Sequence, residues 1–459
     1  MTKPRQKKTS RRSFMKMVLA GTALGQGINL TLTKNLFAKT AGEPIIIGHQ
    51  CDLTGGISSW GYWMDKAVKT AVDHLNNNNG IAGRPVKYVV EDTETNPPTG
   101  ARKFRSLVQR SKADFVIGSV HSGIDLATVP IAKELKTIYI PQGMAAEMTG
   151  KKGNRYVFRV GSDTYSQAAA GAAWAMKNLG KNWGFIFADY GWGWSHFNEH
   201  KAVLEKLGGN IGKPIAVPLG AKDFLPYLAK VDKNTDELYS IFFGSQSVAY
   251  YTQSKSLGLD KRMKRYSVIC THESISPKDM GGASEGIYML EYHPRMLKYK
   301  DTPHNRKVRD LMRIDPVDGK EDGSKRIIAG SHYWAGWESV FFIQKAIEKS
   351  GWKTKKDTPD FIQALEGLEV KESFEHPQGS KVMRAKDHKA VIDFYMSRVQ
   401  NGEIHVQHNI SAADVESRFP ARYDFTPESV YINHASGAAG NRCPGDLQNC
   451  YKQRWNIRI

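Results

Sequence analysis

The chain holds no acidic residue before Glu43, no C-x-x-C pair among its four cysteines, and, beyond residue 40, no apolar run long enough to cross a bilayer. Each absence removes a class of function. Without C-x-x-C, a zinc or thioredoxin-type site has no support. No G-x-G-x-x-G follows the first strand-like run; the segment there reads Asp52-Leu53-Thr54-Gly55-Gly56-Ile57-Ser58-Ser59-Trp60-Gly61, so a dinucleotide fold lacks its phosphate turn. G-x-x-x-x-G-K-[ST] and H-E-x-x-H are missing as well. His405 and His408 fall in a strand-like run, where three-residue spacing points them to opposite faces and excludes a metal pair. His272-Glu273-Ser274 has the residue types of a hydrolytic site, but adjacency in sequence does not make a triad in space. Neither catalysis nor a cofactor nor a metal is expected.

What is present begins with an address. Ser10-Arg11-Arg12-Ser13-Phe14-Met15-Lys16 precedes a short, weakly apolar run over residues 17–32 and resembles a twin-arginine export signal. The run is too short and too rich in Gly, Thr and Asn to span a membrane, and its flank is basic. Residues 1–40 are therefore expected to be a cleaved leader, cut near Ala38 or Thr40, and the mature chain to be periplasmic. No cysteine lies at the leader's end, which argues against a lipid anchor. The formal charge of +19 falls to +11 once the eight Lys and Arg of the first 38 residues are removed. The remaining positive residues are spread among acids, as on a solvated surface, and no nucleic-acid partner is expected.

A mature chain of about 420 residues is too long for one ordinary core and implies two lobes. Strand-like runs over residues 44–53, 86–91 and 115–118 alternate with helical periodicity over 63–75 and 99–111, the signature of parallel βαβ units. The pattern then restarts. An extended piece at 156–160 leads to helices over 168–179 and 196–207 and strands over 183–188, 238–243 and 266–271. A long amphipathic segment occupies 332–350, after a charged surface loop at 317–325. Residues 390–399 read as a strand ending in a hairpin turn at Asn401-Gly402. Past about Arg418 the pattern is irregular, an extension packed on the body. Within it Cys443 and Cys450 enclose a short loop and form a candidate disulfide; Cys51 and Cys270, each at the end of an apolar run, are either two buried free thiols or a bonded pair.

In open α/β sheets ligands bind at the carboxyl ends of strands. The loops there contain Ser59-Trp60-Gly61, His121-Ser122-Gly123, Gly143-Met144-Ala145, Asp189-Tyr190-Gly191-Trp192-Gly193, Gly244-Ser245-Gln246 and His272-Glu273-Ser274. Backbone amides and a hydroxyl suit a carboxylate, aromatics suit an apolar body, and one acid suits an ammonium group.

In this order, these loops resemble the type I periplasmic binding proteins of the branched-chain amino-acid (Leu/Ile/Val-binding-like) transport systems. The resemblance runs over residues 44–399. It is carried by the stretches 54–61, Asn79-Gly80-Ile81-Ala82-Gly83-Arg84-Pro85-Val86, Val116-Ile117-Gly118-Ser119, Met148-Thr149-Gly150, Asp189 to Gly193, and Met383-Arg384-Ala385-Lys386-Asp387-His388. It implies two doubly wound parallel-sheet lobes joined by three hinge crossovers, near 159–162, 291–294 and 389–391. The lobes would be 44–160 plus 293–390 and 161–292 plus 391–417, with 418–459 as the extension.

The resemblance further implies that Ser122 meets a ligand carboxylate, helped by the backbone at Gly143 and Ala145, and that Glu273 pairs with an α-ammonium. Trp60 and Tyr190 would close from opposite lobes. Met144 stands where small or hydroxyl residues are usual, Gln246 where an aromatic is usual, and His332 or Tyr333 lies near a further contact. Against these roles stand local ones: Trp60 packing its loop, Ser122 capping a helix, Glu273 as a solvated acid. The expected function is a monomeric substrate-binding component that captures a small amino acid or related zwitterion and delivers it to an ABC permease. The alternatives are a quaternary ammonium compound, an amide or an aromatic acid, or a ligand-presenting sensor.

Overall fold

The computed structural model describes residues 42–426; the leader, the Cys443 and Cys450 pair and the end of the extension lie outside the described residues. Strands β1 (Ile45–Cys51), β2 (Val86–Asp92), β3 (Phe115–Ile117) and β4 (Ile138–Ile140) form a parallel sheet in the order β2-β1-β3-β4. Helices α1 (Ser58–Asn77), α2 (Pro97–Gln109) and α3 (Ser122–Glu134) make its crossovers. Helix α1 forms because Trp60, Trp63, Met64, Ala67, Val68, Ala71, Val72 and Leu75 recur at helical spacing and are all buried. It ends where Asn79 and Gly80 take positive φ.

The second sheet has the order β14-β13-β9-β8-β7-β5-β6. Its strands β5 (Asn182–Ala188), β6 (Asn210–Val217), β7 (Glu237–Ile241), β8 (Lys264–Val268) and β9 (Tyr288–Glu291) are parallel, with β13 (Phe394–Gln400) and β14 (Glu403–Ile410) added antiparallel at one edge. Helices α4 (Thr164–Asn178), α5 (Gly191–Lys206) and α6 (Gly244–Ser256) accompany it. Asn401 and Gly402, with φ of 54° and 73°, make the tight turn between β13 and β14.

The chain passes between the two sheets three times. After β4, Arg159 bridges to Lys389 before α4 begins. After β9 the chain returns, and α7 (Tyr333–Ser350) packs on α1. The expected continuous strand at 390–399 is interrupted, because the third passage falls inside it. Lys389–Ala390 belongs to a small antiparallel sheet of β10 (Glu369–Val370), β11 (Lys381–Arg384) and β12 (Lys389–Ala390), and the second sheet resumes at Phe394.

At these passages sits a buried ion pair, Lys389 Nζ to Asp163 Oδ2 at 2.6 Å, with both side chains almost fully enclosed. Asp163 also caps α4 by accepting from Ser166 N–H at 2.8 Å. The extension straps the same region. A short helix, α8 (Ala412–Arg418), leads to Arg422, whose guanidinium lies 3.6 Å over the Tyr165 ring and donates to Glu199. Phe425 donates to the Lys386 carbonyl at 2.7 Å and accepts from Arg155 at 2.9 Å. Cys51 and Cys270 are separate buried thiols.

Removing the cation of the Lys389–Asp163 pair leaves a carboxylate buried without its partner. Lys389→Met is expected to lower unfolding free energy by about 3–5 kcal/mol in denaturant titration. A loss below about 1 kcal/mol, the range of exposed ion pairs, would show that the pair is not enclosed as described.

Candidate functional site

The cleft lies at the carboxyl ends of the strands of both sheets. There a cavity, partly open to solvent, is lined by Ile57, Trp60, Val120, Ser122, Met144, Tyr190, Trp192, Phe243, Cys270 and His332. Trp60 lies edge-on to Phe243, ring centres 5.9 Å apart, and Tyr190 is edge-on to the same ring at 6.0 Å. Trp192 stands 6.0 Å from Tyr190 and 6.1 Å from Phe243. These rings give the cavity an aromatic wall.

The polar end is built by buried braces. Asp52 accepts from Ser119 Oγ at 2.7 Å and Val120 N–H at 2.8 Å, fixing the turn into α3. His121 caps that helix by accepting from Ile124 N–H at 3.3 Å. The N–H groups of Ser122 and Gly123, in its first turn, have no acceptor within the helix and favour an anion. Ser122 Oγ accepts from Ala145 N–H at 3.2 Å, which leaves its hydroxyl proton to donate elsewhere. Asp125 accepts from Gly143 N–H at 2.6 Å and from the Tyr139 hydroxyl; burial pushes its carboxyl up to about 8. Arg159, fully enclosed, donates to the carbonyls of Gly143 at 2.5 Å and Ala145 at 3.0 Å. Met144, clamped between those neighbours, presents its side chain to the cavity, where its sulfur accepts from Gln167 at 3.4 Å.

Of the sequence-predicted residues, Trp60, Ser122, Met144 and Tyr190 line one cavity, with Gly143 and Ala145 as its backbone support. The others sit elsewhere. Trp60 lies in the first turn of α1 rather than in a loop, and Gln246 is likewise helical, in α6, donating to the Pro218 carbonyl at 2.9 Å away from the cavity. Tyr333 is buried with its hydroxyl 3.3 Å from His293 Nδ1, and its neighbour His332 lines the cavity instead.

Glu273 is neither a solvated loop acid nor part of the cavity lining. Trp60 Nε1–H donates to its Oε2 at 2.6 Å, Ser331 N–H donates to Oε1, and the Ser331 hydroxyl contacts Oε2. Arg295 holds this turn by donating to the carbonyls of His272 at 2.6 Å and Ile275 at 3.3 Å, around Ser274 at a positive φ of 64°. Ser331 Oγ also meets His332 Nδ1. The serine stands between acid and imidazole, whereas a hydrolytic triad needs the imidazole between serine and acid. Sequence reasoning missed Ile57, Val120, Phe243, Cys270 and Ser331 as site residues. Phe243 and Cys270 carried a usable signal, each lying at the end of a strand-like run; the others carried none. Among the described residues no group of three or more His, Cys, Asp or Glu is placed to hold a metal.

A family model described as periplasmic binding protein matches residues 44–403. The chain belongs to that family. Among curated relatives, a Leu/Ile/Val-binding protein from Rhizobium johnstonii is 28% identical over 221 residues, which is 47% of this chain and 59% of that one. The chain thus aligns with under two thirds of that relative's length. Among solved structures, a solute-binding protein from R. palustris in complex with benzoate has a TM-score of 0.67 at 20% identity, covering 80% of this chain and 97% of that one. A leucine-binding protein from Thermotoga maritima gives 0.66 at 21%, covering 81% and 99%. These structural likenesses establish a two-lobe α/β fold, and the family's members are binding proteins rather than enzymes.

Burial pushes the Glu273 carboxyl up to about 7 from its ordinary 4.5, against the opposing hydrogen bonds from Ser331 and Trp60. Between those values the unfolded chain releases a proton that the folded chain keeps. The associated stability is therefore complete below 4.5 and lost as pH rises through about 7. Unfolding free energy of the wild type should fall relative to Glu273→Gln between about pH 5 and pH 8. A pH-independent difference would mean that the acid is not desolvated.

Proposed function

We propose that this chain is the periplasmic, monomeric solute-binding component of an ABC importer, exported through its leader at residues 1–40. In this reading the lobes are 44–160 plus 293–390 and 161–292 plus 391–417, with 418–459 as the extension. They close over a small carboxylate with an apolar or aromatic body and pass it to a membrane permease. The observation that carries the ligand class is the lining itself: aromatic rings share it with Ser122 at the start of α3, and among the described residues no acid lines the cavity.

An α-amino acid brings an ammonium group that needs an anion. Leaving it unpaired in this cavity would cost several kcal/mol. Glu273, the acid expected to serve, spends its oxygens on Trp60 and Ser331. This favours the aromatic-acid alternative over the amino-acid one. The solved structures named for benzoate and for leucine share the fold, so the fold does not choose between them; the side chains in the cleft support the aromatic acid. Closure supplies discrimination, because Ser122 comes from one lobe and Tyr190, Trp192 and Phe243 from the other.

The test is a thermal-shift and calorimetric comparison of benzoate, leucine and glycine betaine. Benzoate should raise Tm and the other two should not, since a ligand stabilises only the state it binds. Ser122→Ala should weaken benzoate binding by about tenfold, one charge-assisted hydrogen bond. Stabilisation by leucine that disappears in Glu273→Gln would overturn the reading in favour of an amino acid.

A further inference from the structure

His332 is buried at 4% exposure in the cavity wall, and its Nε2 has no hydrogen-bond partner among the described residues. Its other nitrogen, Nδ1, meets Ser331 Oγ, which meets Glu273 Oε2. We propose that Glu273, acting through Ser331, sets the hydrogen-bonding sense of His332 Nε2, making it a bare acceptor that selects ligands with a donor on their apolar body. The proposal rests on the carboxylate reading above and adds a second group that the ligand must carry.

The direction of every bond follows from the groups that can only donate. Trp60 Nε1–H and Ser331 N–H have no acceptor capacity, so both oxygens of Glu273 are receiving. With Glu273 ionised, the Ser331 hydroxyl also donates to it, and Ser331 Oγ can then only accept from His332. That fixes the Nδ1–H tautomer and leaves Nε2 with a lone pair. Protonation reverses the chain. One proton enters at Nε2, the Nδ1 proton passes to Ser331 Oγ, and the hydroxyl proton passes to Glu273 Oε2. Net uptake is one proton, and Nε2 becomes a donor.

The groups around this chain leave Glu273 as the one that titrates. Burial pushes His332 down to about 3, so its ring stays neutral, and does the same to His272. The Cys270 thiol and Tyr292 phenol are pushed far up by burial and also stay neutral. Arg295 favours the Glu273 anion and is itself faced by Glu291 and Asp318. From α1 comes the indole of Trp60, and the Gln142 carbonyl, an acceptor that favours a proton on the His332 ring, only partly offsets the effect of burial there. Glu273 is pushed up to about 7 by burial, so the reversal falls near neutrality.

The relay is tested without any ligand by ¹⁵N NMR of the full mature chain labelled at histidine, with His332 assigned by its absence in His332→Gln. The wild type should show the Nδ1–H tautomer at about pH 8.5 and Nε2–H at about pH 5.5. Glu273→Gln, which cannot take up or release the proton, should show the same tautomer at both. One unchanging tautomer across pH and variant would overturn the proposal. Selection is tested by calorimetry with 3- and 4-aminobenzoate against the matching methylbenzoates. One amino isomer should bind about tenfold tighter than its methyl counterpart at high pH; this preference should vanish at low pH in the wild type and should not vary with pH in Glu273→Gln. Methylbenzoates that bind with no amino preference at high pH overturn the selection and leave the carboxylate reading standing. Binding of neither series overturns that reading, and the proposed selection falls with it.

Discussion

A buried carboxylate is tolerable only when its oxygens are met by donors, and Glu273 is met by Trp60 and Ser331. This one contact reaches across the cleft, from the start of α1 to the turn after β8. Its consequences spread outward. The Trp60 indole is anchored at its N–H, which presents its ring edge-on to Phe243 and sets one side of the aromatic wall. The acid is withdrawn from the lining, so the described residues give the cavity no anion of its own. Ser331, engaged on one side, turns its remaining capacity toward His332. The chemical character of the cleft thus depends on how a single acid is satisfied.

The scaffold supports this arrangement with rigid parallel sheets and a few enclosed charges. Asp52, Asp125 and Arg159 act on backbone amides and carbonyls around Ser122 and Met144, so the polar end of the cleft is formed by main chain held in place rather than by flexible side chains. Near the interlobe passages, Lys389 and Asp163 form an ion pair, and Arg422 ties the extension to α4 and α5. The ion pair and the Arg422 contacts thus sit where the chain passes between the two sheets.

Much of the fold was legible in periodicity. Residues 86–91 and 183–188 read as strands and are strands, and the Asn401-Gly402 hairpin turn is present with both residues at positive φ. The starts of α1 and α5 were not legible, because Gly61 and Gly193 read as loop residues. Both are glycine for a different reason. A Cβ on Gly61 would lie 1.9 Å from the Asp52 carbonyl oxygen, and one on Gly193 would lie 2.1 Å from that of Ala188. Helix must pass strand closely there. The interrupted strand at 390–399 was hidden similarly, since apolar residues continue through a passage between sheets. Ser122, Trp60, Met144 and Tyr190 could be placed from strand ends and family order. The withdrawal of Glu273 could not, because it depends on Ser331, distant in sequence and unmarked by any motif.

The central claim is that the cleft recognises a carboxylate while Glu273 remains engaged with Trp60 and Ser331. A crystal structure of the mature protein grown with benzoate tests it most directly. The account predicts the carboxylate at Ser122 Oγ and the first turn of α3, the ring among Trp60, Tyr190, Trp192 and Phe243, and the Trp60–Glu273 hydrogen bond intact. A ligand seated with Glu273 released from Trp60 and turned into the cleft would contradict it.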